Sequence, residues 1–264
     1  MKVNVRLFAG LHDLLGKRDV VLELAEGATV LQLREQLAKE YPIVTPYLTT
    51  LVCAVDEEYV PAEHRLREGD EVALIPPVSG GSDEYVPAEH RQREGDKVAF
   101  IPPVSGGSSD TELFEVTDLP LDSQRLVKAV RKDESGAVAL FLGVARNHSE
   151  GRRVRALEYD AYPSMAEKKL REVGDEVRAR WPITGIGVLH RTGVLAIGEA
   201  SLLVAVSAAH RKEAFEACHY AVDRIKETVP IWKKEIWEDG EGEGAWVAGH
   251  PVEAPRPIGA EPGA

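Results

Sequence analysis

The sequence predicts an α+β protein built from two units joined by a linker, and three observations predict it. The first 81 residues run strand, short turn, strand, helix and further strands. A tandem repeat of one strand-turn-strand piece comes next. From Leu113 onward the pattern restarts, as apolar strands separated by long amphipathic helices.

In the N-terminal part, KVNVRLF alternates with period two and puts Val3, Val5 and Leu7 on one face, a half-buried strand. DVVLEL (Asp19 to Leu24) is a second strand after a short turn. Thr29 is placed to cap a helix in which Val30, Leu33, Leu37, Ala38 and Tyr41 recur at helical spacing. LTTLVCAV and DEVALIP supply later strands, the second launched by the turn EGD. One helix laid across a small mixed sheet in this order fits the β-grasp topology best.

The repeat aligns Glu58–Ser82 with Glu84–Ser108 without gaps, and 22 of the 25 positions are identical. The differences are Leu66/Gln92, Glu71/Lys97 and Leu74/Phe100. Two copies without a helix make a tandem duplication, not a solenoid. Either copy could complete the sheet. Using the second lengthens the loop after Val55 from about 15 to about 41 residues, a loop-closure cost of only about 1 kcal/mol. Burying Leu66 where the second copy has Gln92 favours the first by roughly 1.5–3 kcal/mol. The first copy is therefore expected to pack.

In the C-terminal part, Asp122 is placed to cap a helix containing Leu126, Val127 and Val130. AVALFLGVA (Ala137 to Ala145) reads as a buried strand and RVRALEYDAY as another. A long helix then carries Ala166, Leu170, Val173, Val177 and Trp181 on one side. GIGVLHRTG and EASLLVAVSA are strands, and Ser207 is expected to cap a helix from about His210 to Thr228, stopped by Pro230. IWKKEIW closes the sheet as a strand. The Pro, Gly and Ala-rich tail is expected to be disordered. The expected organisation is 1–81, a β-grasp unit; 82–112, the duplicated hairpin and linker; 113–250, an α/β unit; and 251–264, the tail.

The net charge of −12 argues against nucleic acid or an anionic membrane as the main partner. No apolar run is long enough to cross a bilayer, and Met1 to Phe8 lacks the apolar run of a signal peptide. A cytoplasmic protein is expected. The two cysteines, Cys53 and Cys218, have no metal-ligand spacing and read as buried small hydrophobes. No metal or cofactor is expected.

The repeated IPPVSGG, at 75–81 and 101–107, carries chemistry of its own. Two prolines stiffen an extended stem, and two glycines make a tip thin enough for a narrow tunnel. Such a device presents a C-terminal carboxyl group inside another protein's active site. The bland alternative is a strand exit followed by a linker.

With VNVRLFAGLHDLLG and EGDEVALIPPVSGG, residues 1–81 resemble the small, sulfur-carrying subunit of the molybdopterin synthase family, a ubiquitin-like β-grasp protein. Residues from about 113 to 250 resemble the large subunit of that family through FLGVARNHSEG, LEYDAYPSMAEKKL, VLHRTGVLAIGEASLLVAVSAAHRKEAF and PIWKKEIW. The chain thus looks like a fusion of the two. The resemblance implies a thiocarboxylate on the last glycine of the carrier, Gly81 or Gly107. It implies sulfur transfer to cyclic pyranopterin monophosphate, two transfers making the dithiolene of molybdopterin. It also implies an ATP-dependent activating enzyme as partner and a homodimer of the large-subunit halves.

The resemblance places substrate-binding residues at Val144, Ala145, Arg146, His210, Arg211, Lys226, Lys233, Lys234 and Glu235, with Lys226 and Lys233 as catalytic candidates. The residues are suited to this. Arg146, on a loop after a strand, can grip a phosphate by two hydrogen bonds, where a surface arginine is the alternative. His210 and Arg211 stand at a helix start, which attracts anions, or else serve as a solvated cap. Lys226 lies near the end of the same helix, either favouring its dipole or acting as acid, base or nucleophile if partly desolvated. Strand alternation puts Lys233 and Glu235 on one face and Lys234 on the other, in solvent. His148 lies on the Arg146 loop with no assigned role.

His210 and Lys226 are 16 residues apart on one helix, roughly 24 Å at ~1.5 Å per residue. One small pterin cannot span that, so a site shared between two copies follows unless the helix breaks. A glycine in mid-chain has no carboxylate to activate, so cleavage after Gly81 or Gly107 is expected. Two other readings stay open: a carrier docked on a catalytically idle partner domain, and a catalytic half served by a separate carrier.

Overall fold

The structure, a computed structural model, describes residues 1–77, 112–238 and 244–247. The second repeat, both glycine tips (Gly81 and Gly107), the linker and the tail lie outside the described residues.

The N-terminal unit runs β1 (Lys2–Leu7), α1 (Ala9–Leu15), β2 (Asp19–Glu23), α2 (Val30–Glu40), β3 (Val52–Val55), β4 (Glu58–Val60) and β5 (Glu71–Ile75). The sheet order is β2-β1-β5-β3-β4, with β1 and β5 parallel and the other pairs antiparallel. Alternation along β1 sends Val3, Val5 and Leu7 into a core closed by Leu33 and Leu37 of α2. Thr29 and Gln32 cap α2 reciprocally, side chain to backbone in both directions. This is the expected β-grasp arrangement. The first repeat supplies β4 and β5, and its Leu66 is 1% exposed.

The turn expected after β1 is instead the helix α1. Its N-cap, Phe8, offers no side-chain acceptor, and Ala9 sits at φ +49°. The missing cap comes from far away: the Ala9 N–H donates to Asp160 Oδ2 of the C-terminal unit at 2.9 Å. The strand expected from Leu48 begins only at Val52, because residues Pro42–Tyr47 form a 3-10 helix.

The C-terminal unit runs β6 (Phe114–Thr117), α3 (Ser123–Val130), β7 (Ala137–Val144), β8 (His148–Ser149), β9 (Arg152–Ala161), α4 (Pro163–Arg180), β10 (Ile183–Arg191), β11 (Gly193–Ala196), β12 (Ala200–Ala208), α5 (Arg211–Thr228), β13 (Ile231–Trp237) and β14 (Ala245–Trp246). One sheet has the order β6-β10-β12-β7; a second has β11-β9-β13-β14, with β8 on β9. Ile186, Val188, Val204 and Val206 of the first sheet pack with Leu170 of α4 and Ala221 of α5, while α3 covers Leu189, Leu203 and Ala205 on the opposite face. Asp122 caps α3 by accepting from Gln124 N and Arg125 N, as expected.

Two expectations are corrected. Strand β7 is an edge strand, and its outer row, Leu140, Leu142 and Val144, is 42–51% exposed. Apolar residues on both faces made it read as buried. Ser207 caps nothing: it is fully buried inside β12, and its Oγ donates to the Val130 carbonyl at 2.5 Å. The N-cap of α5 is His210, without a side-chain cap bond.

The two units share an apolar seam of Phe8, Ala54, Ala73 and Ile75 against Tyr162, Met165 and Trp232. Phe8 stacks on both Tyr162 and Trp232 with ring centroids 5.1 Å apart, each pair contributing about 0.5–1.5 kcal/mol beyond its buried area. Polar contacts ring the seam: Tyr162 to Glu71, Lys168 to Glu58, and Tyr59 to the Thr228 carbonyl. The cysteines are buried and free, and burial pushes the Cys218 thiol up to about 11.

Candidate active site

The main cavity, about 390 Å³, lies where the end of the first sheet meets β9, β13 and the C-terminal turn of α5. Five expected residues line it. Arg146 follows β7 directly, Lys226 is on the last turn of α5, and Lys233 and Glu235 sit two apart on β13 and therefore share a face. Val144 lines the same wall. Lys233 Nζ lies 3.4 Å from the buried Glu235 carboxylate. Arg146 and Lys226 are exposed in a single chain. The desolvation expected of Lys226 is thus not supplied by its own chain.

Other expected residues are elsewhere. Ala145 is buried, its N–H bonded to the Glu199 carbonyl, and is not in the cavity wall. His210 and Arg211 are exposed at the far end of α5, which runs unbroken from Arg211 to Thr228. The separation reckoned from the sequence therefore holds in the folded chain. Lys234 is not in solvent. Its side chain is 14% exposed, and Nζ meets Asp13 Oδ2 of α1 at 2.8 Å, an oxygen that also accepts from Trp246 Nε1 at 2.9 Å. Burial raises the Asp13 carboxyl, but these hydrogen bonds and the Lys234 charge outweigh it and hold the group below the usual carboxylate range.

Three lining residues escape sequence reasoning: His148, Tyr159 and His190. His148 Nδ1 lies 3.0 Å from Asn147 Oδ1. Tyr159 pairs with Lys233 across the β9–β13 ladder, and burial raises its phenol. His190 is 6% exposed within an apolar strand, where nothing local separates a pocket histidine from a core one.

The carrier stem is fastened to β13 of the C-terminal unit. Trp232 Nε1 donates to the Pro76 carbonyl at 3.0 Å, and the next residue along β13 is Lys233. Alternation along β13 puts the Trp232 side chain, and with it Pro76, on the face opposite the cavity-lining Ile231, Lys233 and Glu235, so the tie joins the two units without lining the cavity. Three cations and a carboxylate around one cleft suit a small anionic ligand.

Among the described residues, no helix is long and apolar enough to cross a membrane, and no group of three or more acidic, His or Cys side chains forms a metal site. A model of the MoaE protein family matches residues 116–228, and one of the ThiS family matches residues 5–81. The chain is similar to the molybdopterin synthase catalytic subunit of Bacillus subtilis, 48% identical over 130 residues, 49% of this chain and 83% of that protein. The catalytic subunit of Halalkalibacterium halodurans is 42% identical over 146 residues, 54% of this chain and 94% of that protein. The solved molybdopterin synthase of Staphylococcus aureus superposes with a TM-score of 0.48 at 44% identity, covering 50% of this chain and 95% of that one. With a ThiS-family unit ahead of a unit that spans most of these catalytic subunits, the chain belongs to the molybdopterin synthase family, both parts in one polypeptide.

Proposed function

We propose that the chain makes molybdopterin by passing sulfur from a glycine thiocarboxylate of its N-terminal unit to cyclic pyranopterin monophosphate bound in its C-terminal unit. The observation that supports this most is the convergence of Arg146, Lys226, Lys233 and Glu235 on one cavity. Gly81 lies five residues along the chain from Pro76, a reach of up to ~16 Å. Gly81 is then the working glycine, because the first repeat packs in the sheet and its stem is fastened to the C-terminal unit.

In this reading Arg146 binds the substrate phosphate, and Lys226 and Lys233 stand beside the reacting pterin as the catalytic candidates. Glu235 holds Lys233 in place. His210 and Arg211 come from a second copy, docked through the exposed β7 row. Lys234 fastens the N-terminal unit through Asp13. An ATP-dependent enzyme activates the glycine carboxylate, which requires cleavage after Gly81 and puts the reaction in the cytoplasm. A docked carrier on an idle domain is not favoured, since the cations converge on one cleft. A separately supplied carrier is not needed, since the N-terminal unit is already docked on the C-terminal unit.

Intact-mass measurement on protein from the native cell tests the reading. A fragment ending at Gly81, with an oxygen-to-sulfur shift at its terminus, is expected. Only full-length chain, in cells actively making the cofactor, overturns it.

A further inference from the structure

His190 carries an argument that the lysines and arginines do not. It follows Ile186 and Val188 at strand spacing on β10, so its ring points to the α5 side of the sheet, pairs in register with Leu202, and lines the cavity. Its Nδ1 lies 3.0 Å from the Arg191 carbonyl. A carbonyl only accepts, so Nδ1 carries the hydrogen and Nε2 presents a lone pair. The ring is fixed further by an edge-on contact with Tyr159, centroids 5.3 Å apart. The main chain it bonds is also held: Arg191 pairs with Glu199 at 2.9 Å, and Glu199 accepts from Ala196 N at 2.7 Å. Burial lowers the imidazole to about 4, so the ring is neutral at physiological pH.

The rest of the cavity is rich in donors. Arg146, Lys226 and Lys233 only donate, and the Glu235 carboxylate is engaged by Lys233. Ser201 Oγ is turned to the Gly143 carbonyl. Among the described residues no hydrogen bond reaches His190 Nε2, which leaves its lone pair open to a ligand in the cavity the ring lines. A pyranopterin has what the lone pair needs, ring N–H and exocyclic amino groups.

We propose that His190 is a specificity-determining residue whose Nε2 accepts a hydrogen bond from an N–H of the pterin, so that the cations read the phosphate and His190 reads the ring. This rests on the pterin-binding reading above.

Two substitutions separate this role from a structural one. His190→Asn keeps a donor near Nδ1 for the Arg191 carbonyl but removes the acceptor at Nε2. His190→Gln places an acceptor near Nε2 instead. The full chain, with no sulfur donor present, is titrated with cyclic pyranopterin monophosphate and, separately, with inorganic phosphate. We expect His190→Asn to bind the pterin about tenfold more weakly, His190→Gln to stay within about threefold of wild type, and phosphate affinity to be unchanged in both. Wild-type pterin affinity in His190→Asn overturns the inference. So does loss in His190→Gln alone, which marks a packing role, or an equal loss for phosphate, which marks a damaged cavity. Failure of the wild-type chain to bind the pterin at all overturns the reading on which the inference rests.

Discussion

The C-terminal unit has two apolar faces, and within one chain they meet opposite fates. The face that carries Tyr162, Met165 and Trp232 is finished: each residue is at most 2% exposed, covered by Phe8, Ala73 and Ile75 of the N-terminal unit. The edge strand β7 is not. Leu140, Leu142 and Val144 stand half exposed, and Phe215 on α5 is 66% exposed. Soluble monomers rarely leave such a row bare. The contrast teaches that the carrier contact is satisfied within the chain, whereas the β7 edge is left uncovered among the described residues. His210 and Arg211, stranded at the far end of α5 from Lys226, make the same point from the polar side.

The largest expected effect tests that division directly. Lys226→Ala and His210→Ala should each lower turnover by on the order of 10²–10⁴-fold without unfolding the protein. Mixed after dissociation and reassociation, the two dead variants should regain activity in roughly a quarter of the sites, because a mixed dimer holds one site with both residues intact. A mixture as dead as its parts breaks the shared-site reading. Unchanged turnover in Lys226→Ala alone would favour an idle docking domain.

The finished face is tested next. Trp232→Ala removes a ring stacked on Phe8 and the bond to Pro76, and should cost about 3–5 kcal/mol. Denaturant unfolding, expected as one transition in the wild type, should split as the units lose their hold on each other. The unfinished face should behave in reverse. Leu140→Asp, on an exposed position, should leave the unfolding midpoint within about 0.5 kcal/mol of wild type. It should nevertheless convert a dimer to a monomer in sedimentation velocity and abolish turnover. A Leu140→Asp protein that stays dimeric would move the second copy to another surface.

How much of this was legible in the sequence follows the same division. Features decided by near neighbours were readable: the Thr29–Gln32 capping box, the Asp122 cap, alternation along β1, and the burial of Leu66 over its repeat counterpart. Features decided at a distance were not. Helix α1 starts without a local cap because Asp160, 151 residues on, supplies it. Lys234 looks solvated by alternation because its partner, Asp13, belongs to the other unit. Strand β7 reads as buried because apolar residues occupy both its faces, although its place at the sheet edge leaves the outer row exposed. Of the site, Arg146, Lys226, Lys233 and Glu235 were found through family motifs. His190 was not, since only the folded chain shows which of its nitrogens is left for a ligand.

The smallest expected effect concerns the rim of the finished face. Asp13 takes hydrogen bonds from Lys234 and Trp246 on one oxygen, and its carboxyl is held below the usual range. A depressed folded value contributes stability that is present above the ordinary carboxylate range and is lost as pH falls through the folded value. Asp13 stays 40% exposed, so screening keeps the contribution to about 0.2–1 kcal/mol. Asp13→Asn should therefore lower the unfolding free energy by that amount at pH 7, and the gap to wild type should close as pH drops below about 4. Glu58, paired with Lys168 on the same rim, is held low as well, but it titrates equally in both proteins, so their difference isolates Asp13. Salt gives a second handle. At 1 M, where screening acts within about 3 Å, the Asp13→Asn gap should shrink while the Trp232→Ala loss persists. A gap that survives both acid and salt would mean that Asp13 holds α1 by the shape of its hydrogen bonds, with charge contributing nothing.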